Sequence, residues 1–305
     1  MDKLQLIGLG MATVDILLRA RNMTAWHLGM PLDAITIDGG GMACNAMVAA
    51  QRLGATTGFI GSFGSDRQGQ IKLQTLQETG VDSSRIIRRD LLDDQVVLIH
   101  VHHAMGERTF YPLAAPWRKP ILPEELDRDY LVQANYLLLD GFHPAAAHQA
   151  AQWMHAAGKQ VMLDANAHHE PPSSELVRLI RETDYLVCSS GFLQALTGKE
   201  NLAEAAAQAL DLGPQVVVQT EGPLGSYTFT REYQFHTPAF EVVVVDTTGA
   251  GDVFHGAFLV GLLRGWDLRM MVRFSSAAAA LACRKLGRAG YPTLEEVWGL
   301  INKIK

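Results

Sequence analysis

Between residues 135 and 219 the chain repeats one unit, and that repetition limits the fold more than any other feature. Short runs that are apolar at nearly every position, 135–140 (NYLLLD), 160–164 (QVMLD), 184–188 (DYLVC) and 215–219 (QVVVQ), alternate with helix-forming stretches at 145–157, 175–181 and about 203–210. A strand with one wet face alternates apolar and polar residues, whereas a strand without polar positions is covered on both sides. Strands separated by helices of this length run parallel, with the helices packed on the two faces. The spacing predicts an α/β fold with a doubly wound, mostly parallel sheet flanked by helices.

The first third departs from this rhythm. Residues 4–9 read as a strand ending in glycines, and 41–53 as a helix stopped by Gly54. Between them, 15–21 and 34–37 mix polar and apolar residues, and 95–102 and 108–111 flank a turn at Met105-Gly106, the pattern of a hairpin. No helices separate these strands, so they do not fit the parallel sheet. They are expected to form a small second β-sheet from two excursions, 14–40 and 95–114, leaving 1–13, 41–94 and 115–305 as the core.

Charge and composition narrow the partners. The 305 residues include 32 acidic and 26 basic side chains, a net charge of −6, and no Lys/Arg block, which argues against nucleic acid or an anionic membrane surface. No apolar stretch approaches the roughly 20 residues of a spanning helix. The first residues lack the apolar core and cleavage site of a signal peptide. Cys44, Cys188 and Cys283 are too far apart for a disulfide framework or a zinc motif. A cytoplasmic protein with reduced thiols is expected.

The strongest chemical signal is Asp246-Thr247-Thr248-Gly249-Ala250-Gly251-Asp252, between a strand expected at 241–245 and a helix expected to run through Phe254 and Leu262. Small residues at a strand-to-helix turn expose backbone N–H groups at a helix N-terminus, which together with the helix dipole bind an anion. A carboxylate at Asp252 would repel a bound phosphate unless it has a task. Accepting the proton of an attacking hydroxyl during phosphoryl transfer is such a task.

This string resembles the C-terminal signature D-T-x-G-A-G-D of the ribokinase-like (PfkB) carbohydrate kinase family. Gly39-Gly40-Gly41, Asn45 and Leu53-Gly54 resemble its first signature, and Gly64-x-Asp66-x-x-Gly69 its G-x-D-x-x-G. Thr220-Glu221-Gly222 with Gly225 resembles its T-x-G-x-x-G turn, and Gly10 followed by Asp15 matches its sugar-binding aspartate. The resemblance implies a ribokinase-like fold in which the small β-sheet is a lid over the sugar. It also implies an ATP- and Mg²⁺-using kinase that phosphorylates a hydroxyl of a small sugar or sugar derivative. Carried over by residue, Asp252 would be the general base, and Gly249, Ala250 and Gly251 the anion hole. Asp15, Gly40, Gly41 and Asn45 would hold the sugar, with Arg108 facing it from the hairpin. Thr220, Gly222, Gly225 and Ser189 would border the nucleotide. Asp246 and Thr248 match the family's site for a monovalent cation such as K⁺, completed by carbonyls near 286–290.

One departure stands out. The family usually has N-x-x-E ahead of L-T-G; counted back from Leu196-Thr197-Gly198, those positions here are Ser189 and Phe192. Neither supplies a carboxylate, so Asp164 and Asn166 are the candidates to share the Mg²⁺ work, and changing Phe192 to Glu is expected to strengthen it. The departure leaves a non-catalytic carbohydrate- or nucleotide-binding relative open, and nucleoside kinases form a second substrate class. The strings 246–257 and 287–290 (GRAG) are also similar to those of sulfofructose kinases, although no basic residues for a sulfonate stand out. His100, His102 and His103 on the hairpin, and His168-His169, are expected to be lid-surface or substrate-lining side chains. Apolar residues of the small sheet, among them Ile16, Leu18, Val97 and Ile99, predict a homodimer through that sheet.

Overall fold

The computed structural model describes residues 3–22, 29–113, 119–166 and 171–303. From β1 (Leu6–Leu9) the chain makes a first excursion, β2 (Thr13–Ala20) and β3 (Ala34–Gly40), and returns through α1 (Met42–Arg52) to β4 (Thr57–Ile60). Then β5 (Ser62–Gly64), α2 (Arg67–Thr79) and β6 (Ile87–Arg89) lead to a second excursion, β7 (Val96–His102) and β8 (Arg108–Pro112). The apolar runs follow as a βα series: α3 (Arg128–Val132), β9 (Tyr136–Leu139), α4 (Pro144–Ala156), β10 (Gln160–Ala165), α5 (Ser174–Ile180) and β11 (Tyr185–Ser189). The series continues with α6 (Phe192–Thr197), α7 (Leu202–Leu212) and β12 (Val216–Thr220). A hairpin of β13 (Ser226–Phe229) and β14 (Gln234–Thr237) precedes α8 (Ala250–Leu263), α9 (Leu268–Ala282) and α10 (Leu294–Lys303).

The large sheet has the order β14-β13-β12-β11-β10-β9-β1-β4, parallel from β4 to β12 and antiparallel through β13 and β14. Period-two geometry explains the continuous apolar runs. Leu6, Leu138, Met162, Val187 and Val218 point into one core with α1, α8 and α9. Ile7, Leu137, Leu163, Leu186 and Val217 point into the other with α4 and α7.

The small sheet has the order β3-β2-β7-β8, with β2 and β7 parallel and the outer pairs antiparallel. Its register separates the residues grouped together above. Leu17 pairs with Ile99 and Asp15 with Val97, so Ile99 and Val97 lie on the inner face, where Leu17, Ile99 and Val101 are buried. Ile16 pairs with Leu98 and Ile37, which places it with Leu18 on the outer face.

Residues 241–245 form no strand, contrary to expectation. The segment is apolar but has no neighbouring strand to pair with. Val243 is exposed, Val244 packs against Gly106 of the hairpin turn, and Val245 N–H donates to Cys283 O at 2.8 Å. The segment therefore bridges the end of α9 and the small sheet. Among the described residues no helix is long and apolar enough to cross a membrane.

Candidate active site

The parallel strands end along one edge of the core, where an open α/β sheet receives its ligands. Asp140 follows β9, Asp164 lies near the end of β10, and Ser189 and Thr220 close β11 and β12. Buried Asp140 accepts hydrogen bonds from the backbone N–H groups of Met11 (2.6 Å), Ala43 (3.3 Å) and Phe142 (3.1 Å), tying the exit of β1 to the start of α1. Burial pushes its pKa up to about 6. Sequence reasoning passed over Asp140, although an acid ending an apolar run is the same signal that singled out Asp164.

The three consecutive glycines make room for three different neighbours. A Cβ on Gly39 would lie 2.6 Å from Arg288 Nη2, and one on Gly40 only 1.9 Å from Asp15 Oδ2. Gly41 has φ +96°, and its Cβ would meet Met11 O at 2.4 Å. Asp15 Oδ1 accepts from Thr13 Oγ1 at 2.6 Å. Burial pushes Asp15 up to about 6, against the pull of Thr13 and of the Arg288 charge.

At the centre, α8 starts from Gly249 (φ +75°), beside the buried Tyr291 hydroxyl. Asp66, Ser173, Asn201 and Asp267 cap α2, α5, α7 and α9 with their side chains, whereas no side chain caps α8, as none caps α1, α4 or α6. Its first-turn amides, with no carbonyl a turn earlier in the helix, are the groups an anion can use. The missing side chain of Gly251 faces open space. Asn45 Nδ2 donates to Asp252 Oδ2 at 2.7 Å, so Asn45 is first of all the partner of the proposed base. Burial, with the charge of Asp164 adding to it, lifts Asp252 to about 7, and the Asn45 bond opposes the rise.

One turn along α8, His255 was missed by sequence reasoning. Its Nδ1 is 2.6 Å from Gly251 O, and its Nε2 is 3.2 Å from Val187 O and 3.5 Å from Asp164 Oδ1. Burial lowers the His255 pKa and holds Asp164 well above the usual carboxylate range. Neither carboxylate oxygen of Asp164 has a hydrogen-bond partner.

Asp246 joins two loops. Its Oδ1 accepts from Thr248 N–H and its Oδ2 from Gly287 N–H, both at 2.8 Å, and the Thr248 hydroxyl is buried without a partner. The hairpin turn reaches the same string: Gly106 O accepts from both the N–H (3.0 Å) and the hydroxyl (2.9 Å) of Thr247. Arg108 Nη1 donates to Thr247 Oγ1 at 2.9 Å, so Arg108 touches the signature loop itself.

At the edge where the sequence places the nucleotide, Ser189 pairs with Thr220 across β11 and β12, and the Thr220 hydroxyl donates to Cys188 O at 3.3 Å. The following turn carries Gly222 (φ +52°) and Gly225 (φ +90°). Phe192 is 2% exposed and packed in the core with Leu186, Cys188 and Val217. A glutamate there would bury a charge in that core, which argues against the expected gain in Mg²⁺ binding. The carboxylate that does stand beside this edge is Glu221, bonded to Ser190 Oγ and to Gln219 Nε2. Asn166 turns its amide to Met42 Sδ.

On the hairpin, His103 Nδ1 lies 2.6 Å from Asp33 Oδ2, and His102 Nδ1 accepts from Ala104 N–H. His168 and His169 lie outside the described residues. Among the described residues no three His, Cys, Asp or Glu side chains group to hold a metal ion.

Residues 11–294 match the sequence profile of the pfkB family carbohydrate kinases. The chain belongs to this family. It is 33% identical over 267 residues to aminoimidazole riboside kinase of Salmonella typhimurium, covering 83% of each chain. It is 27% identical to 5-dehydro-2-deoxygluconokinase of Shouchella clausii, covering 97% of this chain and 95% of the relative. Among solved structures, the ATP-bound fructokinase of Xylella fastidiosa superposes with a TM-score of 0.83, at 25% identity and 99% coverage of both chains. The ribokinase-like fold is thus the fold of this PfkB kinase, and its relatives divide between sugar and riboside substrates.

Proposed function

We propose that this PfkB kinase transfers the γ-phosphoryl group of ATP to a hydroxyl of a small sugar or sugar derivative, with Asp252 as general base. The carrying observation is the Asn45–Asp252 bond at the first turn of a helix that no side chain caps. Asp252 takes the acceptor proton as the hydroxyl oxygen attacks phosphorus, and the bond to the leaving ADP oxygen breaks. The amides at Gly249, Ala250 and Gly251 stabilise the charge on the group in flight. Asp15 and Asn45, in the space made by Gly40 and Gly41, hold the acceptor. Thr220, Gly222, Gly225 and Ser189 border the nucleotide.

Mg²⁺ bound with ATP supplies neutralising charge at the β- and γ-phosphates. The two unpartnered oxygens of Asp164 suit such a cation, reached through its hydration shell. Asp246, the Thr248 hydroxyl and the backbone of the 287–290 turn suit a monovalent cation such as K⁺. In this reading the excursions 14–40 and 95–114 form a lid over the sugar, and the protein is a cytoplasmic homodimer without nucleic-acid or membrane partners.

ADP release measured across ketoses, aldoses and nucleosides tests the reading. Asp252→Asn should lower kcat roughly 10²–10⁴-fold while calorimetry still detects ATP and sugar binding. A mutant that keeps more than half the activity removes Asp252 from the role of base.

A further inference from the structure

Arg288 has no task in the contacts described so far. It lies in the turn Gly287–Gly290 after α9, its side chain is 10% exposed, and all three guanidinium nitrogens are buried without a hydrogen-bond partner. The carboxylate recorded against it, Asp38, is 3.6 Å from Nη2, beyond hydrogen-bond length. Asp38 Oδ1 is also already engaged, accepting from Gly39 N–H at 2.8 Å and Thr75 Oγ1 at 3.0 Å. A guanidinium is always charged and offers five donors. Burying it beside one long ion pair with none of its donors hydrogen-bonded is costly, so a native protein that keeps one calls for a reason.

The surroundings show where it points. Nη2 fills the space that a side chain on Gly39 would take. The Arg288 charge bears on Asp15, Cys44 and Tyr291, buried residues of β2, of α1 and of the segment just after the turn that carries Arg288. Its backbone is mounted rigidly, because the N–H of Gly287 is bonded to Asp246. Asp15 and Asp38 have their own donors in Thr13, Gly39 and Thr75, which leaves the guanidinium N–H groups for something else. A planar fork of this kind matches the paired oxygens of a carboxylate, phosphate or sulfonate. Neutral sugar hydroxyls have no need of it.

We propose that Arg288 selects acceptors that carry an oxyanion group in addition to the hydroxyl that is phosphorylated. The proposal rests on the kinase reading above and narrows its substrate class. The competing role, a counter-charge that balances Asp15 and Asp38, needs no hydrogen bond, and the selectivity ratio measured below separates the two.

The test compares matched acceptors: fructose against fructose 6-phosphate and 6-deoxy-6-sulfofructose, and gluconolactone-derived aldonates and 2-oxoaldonates against their neutral aldoses. Both kcat/KM from ADP release and equilibrium binding by calorimetry are measured for the wild type, Arg288→Met and Arg288→Lys. At least one oxyanion acceptor should exceed its neutral counterpart by roughly 10²-fold in the wild type. That ratio should collapse in Arg288→Met and recover in part in Arg288→Lys. A ratio that stays fixed while both rates fall would make Arg288 a structural residue, and a wild type that prefers neutral acceptors throughout also overturns the proposal. Binding separates the two readings. Oxyanion acceptors that bind tightly through Arg288 without being phosphorylated would refute the kinase reading and keep this one, whereas phosphorylation of neutral sugars with no oxyanion binding would do the reverse. If Arg288→Met does not fold, the wild-type panel and Arg288→Lys decide.

Discussion

Asn45 donates its amide N–H to Asp252, and with Asp252 as the proposed base that bond governs when the base is usable. Burial raises Asp252 to about 7, and the Asn45 bond is what opposes the rise. A general base must be ionised, so kcat should increase with pH through the region near 7. Removing the bond in Asn45→Ala lifts the Asp252 pKa further and leaves more of it protonated at neutral pH. Turnover at pH 7 should then fall roughly 10–100-fold, the worth of a hydrogen bond to a charged group, and the loss should narrow toward pH 9. A pH–kcat profile for the two proteins checks this; an acid limb that does not move would reduce Asn45 to a contact with the sugar. At this scale the sequence was legible where a residue is unusual by itself. Asp252 after two glycines and the triple glycine could be read directly. The pairing of Asn45 with Asp252 crosses 207 positions, and no local pattern marks it. Arg288 was hidden for a different reason: between glycines it reads as an ordinary flexible turn, and only its unpartnered burial makes it notable.

Among the elements, α2 is the one whose fastening was least visible. Lys72 on its buried face places Nζ 2.6 Å from Asp93 Oδ2, 3.1 Å from Ser62 O and 3.0 Å from Gln95 Oε1, over the ring of Phe63. Asp93 also accepts from Gly64 N–H at 2.9 Å, and Asp66 both caps α2 and accepts from Asp93 N–H at 3.0 Å. The G-x-D-x-x-G string thus fixes the point from which the chain enters β7, and Gly69 is required because its Cβ would lie 2.0 Å from Gly64 O. Burial lowers the Lys72 pKa while Asp93 supports the charged form. Lys72→Met would leave Asp93 buried without its partner, and should destabilise the protein by about 3–5 kcal/mol, read as a lower denaturant midpoint at unchanged slope. A change below about 1 kcal/mol, the range of an exposed pair, would show that the pair does not hold the junction. Most strands of the large sheet were legible because burial on both faces leaves an unbroken apolar run. The same rule misled at 241–245, where apolar residues cover a crossing rather than a strand.

At the scale of the whole molecule, the outer face of the small sheet is an exposed apolar surface that the proposed reaction does not use. The register lines up Ile37, Ile16, Leu98 and Tyr111 in one row across all four strands, with Leu18 and Ile35 in the next row but one along β2 and β3. Ile35 and Ile37 are 59% and 56% exposed, and Leu98 and Tyr111 are exposed too. Single exposed apolar side chains are ordinary, but a contiguous row across a sheet marks a face that another surface covers. The inner face is already taken, since Leu17, Ile99 and Val101 are buried against the core-side Leu286 and Arg108 engages Thr247. We propose that a second copy presenting the same row covers the outer face with a self-complementary contact. The expected particle is therefore a dimer, near twice 33.3 kDa by light scattering at micromolar concentration. Replacing Ile37 and Leu98 together by Asp puts four like charges into that contact and should give a folded monomer. On the proposed reading, in which the small sheet covers the sugar and Asp15 holds it, the same double substitution should raise KM for the acceptor more than for ATP. A wild type that runs as a monomer at these concentrations would leave the outer face without a partner of its own kind.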